Sequence, residues 1–143
     1  MSRRIVCRLS PTSLGVGTSL GLIPWGVNTS IGGLNQGFQV VNGQTEVYVP
    51  QSGLYRVDAA LSALTNQPEA AIIRLIARIG GQDRIATGAR ARGSSLTQGP
   101  AASAVLRINI GQPVQVLGSF TGGTAADLAA HVSHLSLELL EAV

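Results

Sequence analysis

Short apolar runs separated by Gly, Pro, Asn and Ser recur along this chain, the punctuation of an all-β domain. Several runs alternate with period two. In 54–64, Tyr55, Val57, Ala59, Leu61 and Ala63 fall on one face, and Arg56, Asp58, Ala60 and Ser62 on the other. Such alternation predicts a strand with one buried and one polar face. In 101–110, Ala104, Leu106, Ile108 and Ile110 alternate with Val105, Arg107 and Asn109; in 131–140, Leu135, Leu137 and Leu139 alternate with His134, Ser136 and Glu138. Residues 5–9 form a first strand. Two further runs, 37–41 and 45–49, flank Asn42-Gly43, a dipeptide that tolerates the positive φ values of a type I′ hairpin turn.

The segment 66–81 carries two conflicting signals. Asn66, Pro68 and Glu69 resemble a helix start and Gly80 a helix end, yet Ile73, Leu75, Ala77 and Ile79 alternate with Arg74 and Arg78. With strand-like neighbours on both sides, the alternation predicts a strand. Gly80-Gly81 then turns the chain into an exposed strand, 82–91, and Gly111-Gln112-Pro113 turns 101–110 into 114–120. Residues 93–100 and 121–130 read as loops, the second with Thr124 and Asp127 spaced to cap one helical turn.

Residues 10–37 are rich in Gly, Ser and Thr, with Leu20, Leu22, Ile23 and Trp25 as isolated apolar anchors, which reads as an extended arm. The expected organisation is an N-terminal arm with the first strand, 1–25, and one β domain, 26–143. Eight to ten strands with short connections fit two packed sheets or a closed barrel.

Composition sharpens this picture. Hydrophobic residues make up 45% and charged residues 12%, against the roughly 25% charged share of ordinary globular chains. Much of the surface is therefore uncharged and suited to being covered by partners. All ten basic residues are Arg, and the net charge is +3. With aromatics at 3%, the stacking platforms that single-stranded nucleic acid requires are lacking, so no nucleic-acid partner is expected. Cys7 is the single cysteine, which excludes an internal disulfide framework. No apolar run approaches the roughly 20 residues of a membrane-spanning helix, and the basic start of the chain lacks the apolar region of a secretory signal. Cytoplasmic synthesis and no membrane partner are expected.

Catalytic chemistry finds few materials. A nucleophilic triad needs a His beside a Ser or Cys and an acid. The two histidines, His131 and His134, lie three residues apart, which on a strand puts them on opposite faces. Cys7, between Val6 and Arg8, reads as a small buried residue. The acids form no motif. No enzyme activity, cofactor or metal is expected.

Three segments carry a family resemblance. Residues 43–57, an extended strand, a turn ending in Gly53 and an aromatic at Tyr55, resemble the most recognisable stretch of the tumour necrosis factor and complement globular-head superfamily. Residues 106–116 resemble its late hairpin, and 133–140 its closing strand. The resemblance implies a ten-stranded jelly roll, an antiparallel β-sandwich, that assembles as a homotrimer through the outer face of one sheet. Carried over by position, Arg56, Asp58, Arg107, Asn109, His134 and Glu138 would point toward the threefold axis. The other reading of this face is that it is solvated, as one side of an antiparallel sheet often is.

A jelly roll with a Gly-rich arm also resembles the decoration, or cement, proteins that bind assembled capsids of tailed bacteriophages. That resemblance implies a virion-exterior location and the major capsid protein as partner. Arg3, Arg4, Arg8, Leu20, Leu22, Ile23 and Trp25 would be the capsid contacts; alternatively, the arm packs on its own domain. A second functional reading is a receptor-binding fibre-head or surface adhesion module that uses the loops 93–100 and 121–130.

Overall fold

The computed structural model describes residues 5–12, 15–16, 19–27, 37–64, 71–91, 96–97, 100–121, 126–128 and 133–143. Every element among them is a strand. In chain order they are β1 (Val6–Pro11), β2 (Gly15–Val16), β3 (Gly21–Leu22), β4 (Trp25–Val27), β5 (Gln39–Val41), β6 (Glu46–Tyr48), β7 (Gly53–Ala60) and β8 (Ala63–Leu64). They continue with β9 (Ala71–Ile79), β10 (Gln82–Ala91), β11 (Leu96–Thr97), β12 (Ala101–Ile108), β13 (Val114–Thr121), β14 (Ala126–Leu128) and β15 (His134–Ala142).

The first sheet has the order β12-β7-β15-β1-β4, and the second β10-β9-β13-β6-β5 with β3 also pairing β13. A smaller sheet, β11-β8-β14-β2, collects short strands. The long strands alternate between the two large sheets: β6 lies in the second, β7 in the first, β9 and β10 in the second, β12 in the first, β13 in the second and β15 in the first. This back-and-forth winding of antiparallel strands is a jelly roll. The chain is thus the all-β antiparallel sandwich that the alternation predicts, and the ambiguous segment contributes strand β9.

The core lies between the sheets. Cys7, Leu9, Tyr55, Val57, Ala59, Leu135 and Leu137 enter it from the first, and Val47, Ile73, Leu75, Ala77, Val114 and Val116 from the second. Tyr55 is wholly buried, and its hydroxyl donates to the Gln51 carbonyl at 2.6 Å, so the polar tip is satisfied. Phe38 meets its ring edge to face, centroids 6.3 Å apart.

Four local expectations are corrected. The residues 1–25 do not form a separable arm, because β1 is an interior strand between β15 and β4, and a boundary at 25/26 cuts through β4. The Asn42-Gly43 turn is longer than two residues: Val41 pairs with Glu46, and Asn42, Gly43 and Gln44 all have positive φ, 55°, 70° and 68°. The Thr45 hydroxyl donates to the Asn42 carbonyl at 2.8 Å, which holds Thr45 in the turn and out of the strand. The run 54–64 breaks after Ala60, where Leu61 N–H donates to the Pro100 carbonyl at 3.0 Å, and resumes as β8 in the smaller sheet. Ala126–Leu128 is strand, not a helical turn; Thr124 lies outside the described residues.

Candidate assembly face

The outer face of the first sheet is built by strand alternation, so its side chains form cross-strand rows. Val105, Arg56, Glu138 and Val6 make one row through the β12–β7, β7–β15 and β15–β1 pairings. Ser103, Asp58, Ser136 and Arg8 make the next. Ala101, Ala60 and His134 follow on one side, and Arg107, Leu54 and Glu141 on the other. Charged side chains on the inner strands β7 and β15 are thus interleaved with small ones, Ser103, Ser136, Ala60 and Ala101.

Arg56 and Glu138 stand directly opposite, Nη1 to Oε2 at 3.9 Å. Beside them, Arg8, Asp58, Ser103, His134 and Ser136 surround a shallow depression of about 620 Å³. Short side chains, Ala101, Ser103 and Ser136, leave space between Arg8, Asp58 and His134. Val105 is 54% exposed on the edge strand β12.

One end of the face is shaped by backbone packing. A bulge lies between Leu139 and Glu141 of β15, and a Cβ at Gly53 would collide with the Glu141 carbonyl oxygen. Glycine after the turn 50–53 is thus a steric requirement of the β7–β15 contact.

The six residues expected at a threefold axis are not equally placed. Arg56, Asp58 and Glu138 share the central rows, His134 lies in the row beside them, and Arg107 lies toward the end of the face. Asn109 falls beyond β12, which ends at Ile108, and takes part in the following turn, where its Oδ1 accepts from Arg107 Nε at 3.1 Å. The residues expected to touch a capsid scatter further. Ile23 and Trp25 are 3% and 0% exposed within the domain's own core, because Ile23 N–H donates to the Val116 carbonyl and Trp25 N–H to the Gln44 carbonyl, each at 2.8 Å. They are core, not contact, residues. Arg8 lies on the outer face of the first sheet. Leu20 and Leu22 remain outside, 38% and 43% exposed. Arg3 and Arg4, like His131 and most of the loops 93–100 and 121–130, lie outside the described residues.

Burial pushes the Cys7 thiol up to about 12, so it stays protonated, the opposite of an activated nucleophile. Among the described residues no three His, Cys, Asp or Glu side chains group as a metal site would require.

The two sheets and their winding define a jelly-roll domain. No protein-family model matches the sequence, and no curated protein does. Among solved structures, murine APRIL at pH 5.0 superposes with a TM-score of 0.70 at 13% identity, covering 96% of this chain and 100% of that one. Eiger TNF from S. frugiperda superposes with a TM-score of 0.62 at 12% identity, covering 99% and 96%. At these identities the likeness is one of fold.

Proposed function

We propose that this chain is a non-catalytic structural module that assembles as a homotrimer through the outer face of its first sheet. The observation that carries this reading is the row pattern of that face: opposite charges at Arg56 and Glu138, small serine and alanine side chains beside them, and exposed Val105 at the edge. The tumour-necrosis-factor-type fold supports the same geometry. Closed symmetry is the common route of self-association, and a face that carries both signs of charge can match its own copies.

Within that reading, the trimer serves as a capsid decoration protein on the exterior of a tailed-phage head, with the major capsid protein as its partner. The low charged fraction supports a surface that other proteins cover, and exposed Leu20 and Leu22 offer apolar area on the second sheet, away from the assembly face. Repeated weak contacts by three copies add through multivalency. Cosedimentation of the purified chain with shells assembled from the capsid protein of the same genome tests this. Saturable pelleting in multiples of three is expected; a chain that stays in the supernatant at every concentration contradicts the decoration role while leaving the trimer to its own test.

A further inference from the structure

Two turns meet at one end of the second sheet, where the antiparallel pairing of β9 with β13 runs out at Ile79 and Val114. Gly80, between β9 and β10, donates its N–H to the carbonyl of Pro113, between β12 and β13, at 3.0 Å. The contact encloses a recess of about 230 Å³ lined by Gly80, Gln82, Arg84, Arg107, Asn109 and Gln112.

Hydrogen bonds occupy one end of each of the two turn amides. Asn109 N–H donates to Gln112 Oε1 at 2.9 Å, and Arg107 Nε–H donates to Asn109 Oδ1 at 3.1 Å. With each carbonyl oxygen engaged in the turn, the NH₂ groups of these two lining residues, which donate, are the ends these bonds leave unused. Gln112 Nε2 packs over Gly80, where a Cβ would stand only 2.9 Å from it. The same Nε bond anchors the Arg107 guanidinium and leaves its terminal nitrogens unused by the turn.

Arg84 brings a second guanidinium from β10. Among the described residues neither Arg84 nor Arg107 has a carboxylate partner. The neighbouring acid, Asp83, is held by Arg78 Nε at 2.8 Å. The recess thus has two cations, two oriented amide donors and no acid in its wall. Two like charges facing one small space favour an anion between them. Two guanidinium charges match a doubly charged tetrahedral oxyanion, whereas one carboxylate brings a single charge.

We propose that this recess binds a phosphate or sulfate group, held by Arg84 and Arg107 and oriented by Asn109 and Gln112. The group arrives either as the free ion or as a terminal ester on a sugar. The site does not depend on trimerisation, but Arg107 also stands at the end of the assembly face, so the test is placed on Arg84.

Amide spectra of the ¹⁵N-labelled chain are recorded during titration with inorganic phosphate, inorganic sulfate and glucose 6-phosphate, each against chloride at matched ionic strength. Saturable shifts are expected at Gly80, Gly81, Asn109 and Gln112. Arg84→Gln should weaken binding about tenfold or more, the usual worth of a charge-assisted hydrogen bond. Arg74→Gln removes the same charge from an exposed site outside the recess and should leave the affinity unchanged. Binding of the inorganic ions alone identifies a free-ion site, and binding of the ester identifies a terminal-group site. Shifts that never saturate, or an equal loss in the Arg74 and Arg84 variants, would overturn the proposal.

Discussion

Arg56 on β7 and Glu138 on β15 are cross-strand partners with Nη1 and Oε2 3.9 Å apart, on a face whose next row places Asp58 beside Ser136 and Ser136 beside Arg8. Charge order on this sheet is therefore set by register, since a shift of one residue would turn every one of these side chains into the core.

The pair yields a charge-swap prediction. In an isolated chain the Arg56 side chain is 49% exposed and that of Glu138 21%, and exposed ion pairs contribute at most about 1 kcal/mol. Arg56→Glu should thus leave the folded protomer intact in urea unfolding monitored by circular dichroism. In a trimer the same change places like charges at a covered face and should dissociate it. Arg56→Glu with Glu138→Arg should restore assembly at least in part, read by size-exclusion chromatography with light scattering. A trimer indifferent to Arg56→Glu would put the interface elsewhere.

Trp25 separates core from surface in the N-terminal region. It is 0% exposed, and truncating a buried aromatic costs about 3–5 kcal/mol. Trp25→Ala should lower the urea midpoint accordingly. Leu22→Ala, at a side chain 43% exposed, should change stability by less than about 1 kcal/mol and act instead on partner binding. Removing residues 1–25 should unfold the domain, because that cut takes out β1 and with it Cys7 and Leu9.

The contrast between Trp25 and Tyr55 shows what the sequence makes legible. Tyr55 sits in an unbroken alternation, so its burial and the polar face of Arg56 and Asp58 can be read directly. Ile23 and Trp25 are isolated in a Gly-rich stretch with no period, and only long-range pairing, β1 with β4 and β13 with β3, decides that two of the four apolar anchors are core. Asn109 continues the alternation of 101–108 but belongs to a turn, since Gln112 captures its backbone N–H. The recess left a weaker trace: Gly80-Gly81 and Gly111-Gln112-Pro113 are legible as turns, whereas the long-range β9–β13 pairing that sets them side by side, with Arg84 and Arg107 around them, is not.

Cys7 gives the fold a pH signature. Its folded pKa of about 12 lies above the ordinary 9.0 because burial disfavours the thiolate. The unfolded chain releases the proton first, so this contribution is fully present below pH 9 and is lost as pH rises from about 9 toward 12. The slope from this group approaches about 1.4 kcal/mol per pH unit. Tyr55, raised chiefly by burial, and Tyr48, raised chiefly by its hydrogen bond to Glu46, act in the same direction at higher pH. Urea unfolding of Cys7→Ala across this window should show a flatter decline than the parent chain. In the parent, Cys7 should resist alkylation at pH 8 until the protein is unfolded.

Assembly through the first sheet is tested most directly by sedimentation equilibrium of the purified chain at micromolar concentration. A threefold assembly predicts a single species of three times the 14.7 kDa chain mass, and one that Arg56→Glu reduces to the protomer. A parent chain that sediments as a 14.7 kDa monomer throughout the concentration series would contradict it and leave the outer face solvated.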